Sequence, residues 1–208
     1  MATPVQRMIA EQLQPHGVTD ERVLQAMADV PREEFLPPRL RPHAYEDRAL
    51  GIECGQTISQ PLVVALMTQA VAPKPDDVAL EIGAGSGYQA AVLSRLCQKV
   101  ITIEREPALA EHAAATLQRL GYENVEVILG DGSLGWAGSA PYAVILVACA
   151  APEVPPALVE QLTEEGRLVI PVDTGADEPQ DLRLYTRTAG QVVYRSLFPV
   201  LFVPLRTG

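Results

Sequence analysis
A chain of 208 residues with 48% hydrophobic and 20% charged side chains has the makings of one folded domain, not of a disordered or fibrous chain. Its formal net charge of −10, from 26 acidic and 16 basic residues with no Lys/Arg run, disfavours a nucleic-acid backbone as partner. No apolar stretch reaches the ~18 residues of a membrane span. Residues 1–13 lack the pattern of a secretory signal, and three widely spaced cysteines, Cys54, Cys97 and Cys149, suit reduced thiols in the cytoplasm better than disulfides or zinc.

In chain order, the spacing predicts short helices over 5–14 and 20–29. Val5, Met8, Ile9 and Leu13 form one apolar stripe, and Thr19-Asp20-Glu21-Arg22 reads as the start of the second helix. Pro31 stops it, and 31–38 reads as a short, proline-bounded turn on the surface. Residues 43–60 read as a long irregular loop, a length that in compact domains usually serves function. A helix over 62–71 follows. On local sequence Ser59 reads as its N-cap and Pro61 as its first residue. The alternative is that Thr57 and Ser59 present hydroxyls and free N–H groups to an anion.

From residue 78 the pattern alternates: strand 78–82, helix 87–96, strand 100–104, helix 107–120 and strand 125–129, then strand 143–147, helix 155–162 and strand 167–171. The tail reads as an antiparallel hairpin, 182–186 with 191–195, turning near Ala189-Gly190, and then as a further strand over 199–203.

Between the first strand and its helix lies Glu81-Ile82-Gly83-Ala84-Gly85-Ser86-Gly87. Such a strand, tight glycine turn and helix open nucleotide-binding α/β sheets, because a bare backbone lets a ligand approach. Glu104 closes the second strand 21 residues after Gly83, near the ~20-residue spacing of a carboxylate that holds ribose hydroxyls. The spacing is G-x-G-x-G, not the dinucleotide G-x-G-x-x-G, and no G-K-[ST] follows. An adenosyl ligand without phosphates, S-adenosylmethionine, fits better, with Glu81 as acceptor for its ammonium group. Asp131, at the end of the third strand, could accept from an adenine amino group. Trp136 reads as a packed side chain or as a wall of the same edge. His16, His43 and His112 are scattered, so no metal is expected.

Gly55-Gln56-Thr57-Ile58-Ser59-Gln60-Pro61 followed by Leu80 to Ala91 resembles the protein-L-isoaspartate O-methyltransferase family. So do Val30 to Phe35, Ala44 to Leu50, Gly130-Asp131-Gly132 with Gly135-Trp136, Ala150 to Pro155, and Gly166 to Pro171. The likeness runs in order over roughly residues 5–205. It implies a Rossmann-like class I methyltransferase fold, an α/β architecture with a mostly parallel seven-stranded sheet, helices on both faces, an antiparallel C-terminal part and a small N-terminal helical segment. It also implies one domain over 1–208, divided as 1–60 (helices and active-site loop), 61–172 (cofactor core) and 173–208 (last strands).

The resemblance further implies S-adenosylmethionine as donor, S-adenosylhomocysteine as product, and the α-carboxylate of L-isoaspartyl residues in damaged proteins and peptides as acceptor. The protein would be a cytoplasmic monomer without nucleic-acid or membrane partners. Carried over by position, Ser59 is the active-site serine, Gly83 and Gly85 line the cofactor, Glu104 holds the ribose, and Asp131 and Gly132 meet the adenine. The full candidate cofactor set is Thr57, Ile58, Ser59, Glu81, Gly83, Ala84, Gly85, Gly87, Glu104, Arg105, Gly130, Asp131 and Gly132. The chain departs from the family pattern at Gly51-Ile52-Glu53-Cys54-Gly55, at Ala148-Cys149, and in the acidic loop 173–179. Rival readings are a methyltransferase for RNA or small molecules, a nicotinamide oxidoreductase, and a non-catalytic isoaspartyl-binding module.

Overall fold
The computed structural model describes residues 2–175 and 178–208, so Ala176 and Asp177 of the acidic loop lie outside the described residues. Helix α1 (Pro4–Arg7) starts at Thr3, whose hydroxyl accepts from the Gln6 N–H while the Gln6 side chain accepts from the Thr3 N–H. This capping box satisfies two otherwise orphaned donors. The helix widens into π-helical turns over Met8–Leu13. Helix α2 (Glu21–Asp29) is capped by Asp20, which accepts from the Arg22 N–H at 2.9 Å. The segment expected to be an irregular loop carries a two-stranded antiparallel ribbon, β1 (Leu50–Gly51) with β2 (Thr57–Ile58). Helix α3 (Pro61–Val71) follows directly.

The core is β3 (Val78–Ile82), α4 (Tyr88–Ser94), β4 (Lys99–Glu104), α5 (Pro107–Arg119), β5 (Val125–Leu129), β6 (Tyr142–Val147), α6 (Pro156–Glu160), β7 (Leu162–Val172), β8 (Gln180–Thr188) and β9 (Gln191–Val200). The sheet order is β5-β4-β3-β6-β7-β8-β9. The first five strands in that order pair parallel, and β8 and β9 are added antiparallel. The strand order reverses between β3 and β6, and the carboxyl ends there form the crevice where open α/β sheets bind ligands.

Alternation along the strands splits the core in two. Leu80, Ile82, Ile101, Ile103, Ile145 and Val147 form one cluster with Leu158 of α6. Ala79, Val100, Val144 and Leu146 form another with Met67 and Val71 of α3 and Ala90 and Leu93 of α4. A third cluster joins Met8, Leu13, Val23, Met27 and Phe35 to Tyr88 and Val92 of α4 and to Leu117 of α5, which makes the N-terminal segment an added layer over these helices. β6 is apolar throughout because β3 and β7 flank it and both its faces are covered.

Three expectations need correction. The helix expected over 155–162 ends at Glu160, because Leu162 already pairs with Tyr142 as the first residue of β7. The hairpin strands are longer than expected, with Ala189 at φ 51 and Gly190 at φ 74 making the two-residue turn. No separate strand runs over 199–203: Pro199 and Val200 end β9, and the chain then leaves the sheet edge. No helix among the described residues is long and apolar enough to cross a membrane.

Candidate active site
The glycine turn is pinned by the strands it leaves. The N–H groups of Gly83 and Ala84 both donate to the Ile103 carbonyl, at 2.8 and 3.2 Å, and the Ala148 N–H donates to the Ile82 carbonyl at 2.8 Å. Gly83, Gly85 and Gly87 take φ values of 90°, 52° and 87°, the left-handed region that a β-carbon disfavours. A β-carbon on Gly83 or Gly85 would meet nothing nearer than 3.7 Å, an ordinary van der Waals contact, so it is the positive φ and not crowding that favours glycine at these two. Gly87 does a different job. Its β-carbon would come within 3.2 Å of Leu117, so its bareness lets the start of α4 close on α5.

Two carboxylates face this turn with opposite hydrogen-bond status. Glu104 accepts from the Gly85 N–H with one oxygen at 2.8 Å, and from the N–H groups of Arg105 and Glu106 with the other at 2.8 and 3.0 Å. It therefore holds the turn and its own strand end while still lining the cleft. Glu81, on β3, is 0% exposed, and neither carboxylate oxygen has a hydrogen-bond partner among the described residues. Burial pushes its pKa from 4.5 up to about 8. An orphaned buried acid beside a bare backbone is what a ligand with a cationic ammonium and a nucleoside would complete, so the residues present fit S-adenosylmethionine.

The loop from His43 to Gln60 brings the hydroxyls in. Ile58 is buried and anchors β2, while Thr57 alternates outward towards the crevice. Ser59 is not the N-cap of α3. Gln60 holds that position without a side-chain cap bond, and Asp47 takes over the work, accepting from the Leu62 N–H at 3.2 Å and from the Gln60 amide at 2.8 Å. The Ser59 hydroxyl is thereby left out of the helix cap. The departure at 51–55 forms a tight turn in which Cys54 and Gly55 both take left-handed φ, 57° and 68°, and the Ile52 N–H donates to the Gln56 carbonyl at 2.8 Å.

Three clefts share Thr57 and Ala148 as lining residues. The first, about 630 Å³, takes Gly83, Gly85, Glu104, Arg105 and Gly132 from the predicted set. The second, about 350 Å³, takes Ile58, Ser59, Glu81, Gly83, Ala84 and Gly85. The third, about 1240 Å³, is lined by Ser59 with Leu62, Val63, Leu66, Phe198 and Phe202, a mostly apolar trough. Ser59 thus borders both a pocket floored by the glycine turn and a trough of peptide dimensions. Gly132 has to be bare because its β-carbon would lie 2.3 Å from Ile82 Cγ2.

Gly87, Gly130 and Asp131 line none of these three clefts. The Gly130 N–H donates to the Glu104 carbonyl at 2.9 Å, which continues the β4–β5 ladder. Asp131 accepts from the Ser133 N–H and hydroxyl at 2.9 and 2.7 Å and from the Gly208 N–H at 2.9 Å. Burial would raise this carboxyl, but those donors hold it below its ordinary value. Trp136 lines none of the three; its N–H donates to the Gln161 side chain at 2.8 Å and its carbonyl accepts from the Tyr142 hydroxyl at 2.6 Å.

Sequence reasoning missed the tail as a wall. Val203, Pro204, Leu205 and Arg206 line the first cleft because the Ala150 N–H donates to the Val203 carbonyl at 2.8 Å and the Leu205 N–H donates to the Ala150 carbonyl at 2.6 Å. No local pattern announces a segment held by single backbone bonds to a loop more than 50 residues away. Cys149 also lines this cleft, but burial pushes its thiol up to about 12, so it is a packed and inert side chain there.

A family model described as Protein-L-isoaspartate(D-aspartate) O-methyltransferase matches residues 4–208. The chain is 50% identical over 198 residues to the protein-L-isoaspartate O-methyltransferase of Protochlamydia amoebophila, covering 95% of this chain and 94% of that one. It is 52% identical over 199 residues to the enzyme of the same name from Koribacter versatilis, covering 96% and 89%. Among solved structures, a protein-L-isoaspartate O-methyltransferase superposes with a TM-score of 0.84 at 33% identity, covering 93% of this chain; this chain spans 63% of that one. A Plasmodium falciparum protein described as a putative member of the same class, solved with S-adenosyl-L-homocysteine, gives a TM-score of 0.84 at 26% identity over 99% of both chains.

Proposed function
The chain belongs to the protein-L-isoaspartate(D-aspartate) O-methyltransferase family, and on that premise we propose how its residues divide the work of methylating the α-carboxylate of an L-isoaspartyl residue. The function is protein repair: the methyl ester collapses to a succinimide, from which normal aspartyl can re-form. When bound, S-adenosylmethionine supplies a methyl group already activated on a sulfonium sulfur.

The acceptor needs no strong base. An α-carboxyl has a pKa of ~3.3–3.7 and is ionised at neutral pH. What remains for the protein is alignment and exclusion of water, effects worth up to ~7–11 kcal/mol in well-oriented systems. Glu81 holds the donor's ammonium, with its two free oxygens as acceptors. Glu104 offers its remaining lone pairs to ribose hydroxyls, and Gly83, Ala84 and Gly85 let the ligand lie on the backbone. Ile58 walls the ammonium end, and Arg105 and Gly132 wall the nucleoside end. Ser59, on the border between the two sides, orients the acceptor carboxylate by its hydroxyl, with Thr57 beside it. A neutral hydroxyl does this without adding a competing nucleophile.

The placement of Ser59 between the glycine-floored pocket and the apolar trough is the observation that carries this assignment. The buried position of Gly87 against Leu117, and the Asp131 bonds to Ser133 and Gly208, support structural duties for those two, with Gly130 tying β5 to β4. We also read the chain as a single functional unit over 1–208, with 1–60 supplying the loop, 61–172 the cofactor core and 173–208 the last wall. The net charge of −10 supports the absence of a nucleic-acid partner. The free Cys54, Cys97 and Cys149 support a reducing, cytoplasmic location.

The test is methyl transfer from labelled S-adenosylmethionine to two peptides that differ only in L-isoaspartyl against L-aspartyl at one position. Base-labile label on the isoaspartyl peptide alone is expected; equal labelling of both would overturn the acceptor. In the same assay Ser59→Ala lowers turnover by roughly tenfold or more while S-adenosylhomocysteine affinity stays within about threefold. Unchanged turnover sinks the role given to Ser59.

A further inference from the structure
Arg32 is 0% exposed and heads the fully buried side chains of the described residues by size. It lines none of the three clefts. A buried guanidinium is unfavourable unless its donors are used; here Nε and Nη2 are spent on main-chain carbonyls, and Nη1 has no hydrogen-bond partner among the described residues. Nε donates to the Ala44 carbonyl at 2.7 Å, and Nη2 donates to the Ser59 carbonyl at 2.7 Å. The guanidinium carbon stands 4.7 Å from the ring centroid of Tyr88, a cation–π distance. Tyr88 is the first residue of α4, directly after the glycine turn.

One side chain therefore ties together the start of the active-site loop, its end, and the helix that follows the glycine turn. The need for such a tie is local. Ser59 sits between Ile58, the last paired residue of β2, and Gln60, the cap of α3, so neither the strand ladder nor the helix includes it. We infer that Arg32 is a positioning residue of methyl transfer: its guanidinium fixes the Ser59 main chain against the α4 helix, and so sets where the Ser59 hydroxyl meets the acceptor carboxylate. This rests on the proposed role of Ser59. Lysine cannot replace it on equal terms, because the planar fork presents two donors to two carbonyls at fixed angles, whereas an ammonium presents its donors from one atom.

The test compares the full-length protein with Arg32→Lys, Ser59→Ala and the double variant, reading kcat and KM for an isoaspartyl peptide, S-adenosylhomocysteine affinity and Tm, with rates taken well below every Tm. Lysine keeps the buried charge, so the fold is retained with a lowered Tm. Arg32→Lys is expected to lower kcat about tenfold, with inhibitor affinity within about twofold, since a misplacement near 1 Å can cost a hundredfold. On the Ser59→Ala background the same change is expected to cost less than about twofold, because the group it positions is gone. If Ser59→Ala is slow but Arg32→Lys keeps the full kcat, or slows both backgrounds equally, Arg32 is only a structural tie and the inference fails alone. If Ser59→Ala keeps full turnover, the reading of Ser59 fails and takes the inference with it.

Discussion

At the scale of single residues, Glu81 is where the proposed ligand would change most. Its carboxyl is buried with no donor, and burial holds its pKa at about 8 instead of 4.5. The folded free protein therefore keeps a proton that the unfolded chain releases across that window. The stabilisation from that proton is present in full below pH 4.5 and is lost as pH rises through about 8. A bound ammonium removes the reason for the proton. Free wild-type protein should lose Tm between about pH 5 and 8 more steeply than Glu81→Gln, and saturating S-adenosylhomocysteine should flatten the wild-type slope. Equal slopes in a thermal-shift series would contradict this account. Glu81→Gln should also weaken inhibitor binding by about 1.5–3 kcal/mol, or roughly tenfold to a hundredfold, as expected for a charged hydrogen bond. Neither pKa nor isolation is legible in Glu81-Ile82-Gly83; a turn-capping acid reads the same way until the strands close around it.

At the scale of elements, the start of α3 shows how a local rule can name the wrong residue. Serine is a favoured N-cap, yet with Pro61 as the first residue Gln60 holds the cap position, and Asp47, fourteen positions before Pro61, satisfies the Leu62 N–H. The favoured local answer is set aside because the loop's own folding already delivers a carboxylate, one that also binds the Gln60 amide. Asp47→Ala should then behave as the loss of a cap, ~0.5–2 kcal/mol, which for a chain of this size lowers Tm by roughly 1–8 °C. It should slow methyl transfer as well, since the Asp47 bonds end at the residues next to Ser59. A calorimetric scan and the peptide assay on one variant check both, and a fall in Tm with full activity would separate the cap from the site. The glycine turn is the opposite case: its residues, helix and partner acid all follow one another closely, so strand, turn and helix were readable before any contact was known.

At the scale of the whole molecule, the proposed cofactor site draws on the ends of β3, β4 and β6, on the loop before α3, and on a tail that returns across Ala150. A ligand that bridges parts so distant in sequence should stabilise the fold as a unit. At a hundredfold excess over Kd, S-adenosylhomocysteine should add about 2.7 kcal/mol, or roughly 5–11 °C in Tm for a chain of this length. The transition should remain single. Two separate transitions, with only one moved by the ligand, would mean that the N-terminal layer and the sheet unfold apart.

The alternating strands and helices from residue 78 on, the glycine turn that starts at Gly83, the hairpin turn at Ala189-Gly190 and the family itself were determined by the sequence alone. Each of these depends on periodicity or on residues a few positions apart, which local sterics and burial enforce directly. Tertiary structure alone decided that Asp47 and not Ser59 caps α3, that Asp131 turns to Ser133 and Gly208, that Gly87 serves α5, and that Val203 to Arg206 wall the cleft. It also decided that Arg32, in a turn read as surface, is fully buried with Nε and Nη2 on two carbonyls. Apart from Ser133, two residues after Asp131, the partner in each of these cases is a backbone group or an apolar side chain far along the chain. Nothing in the nearby sequence marks such a partner, and only the folded sheet brings it within reach.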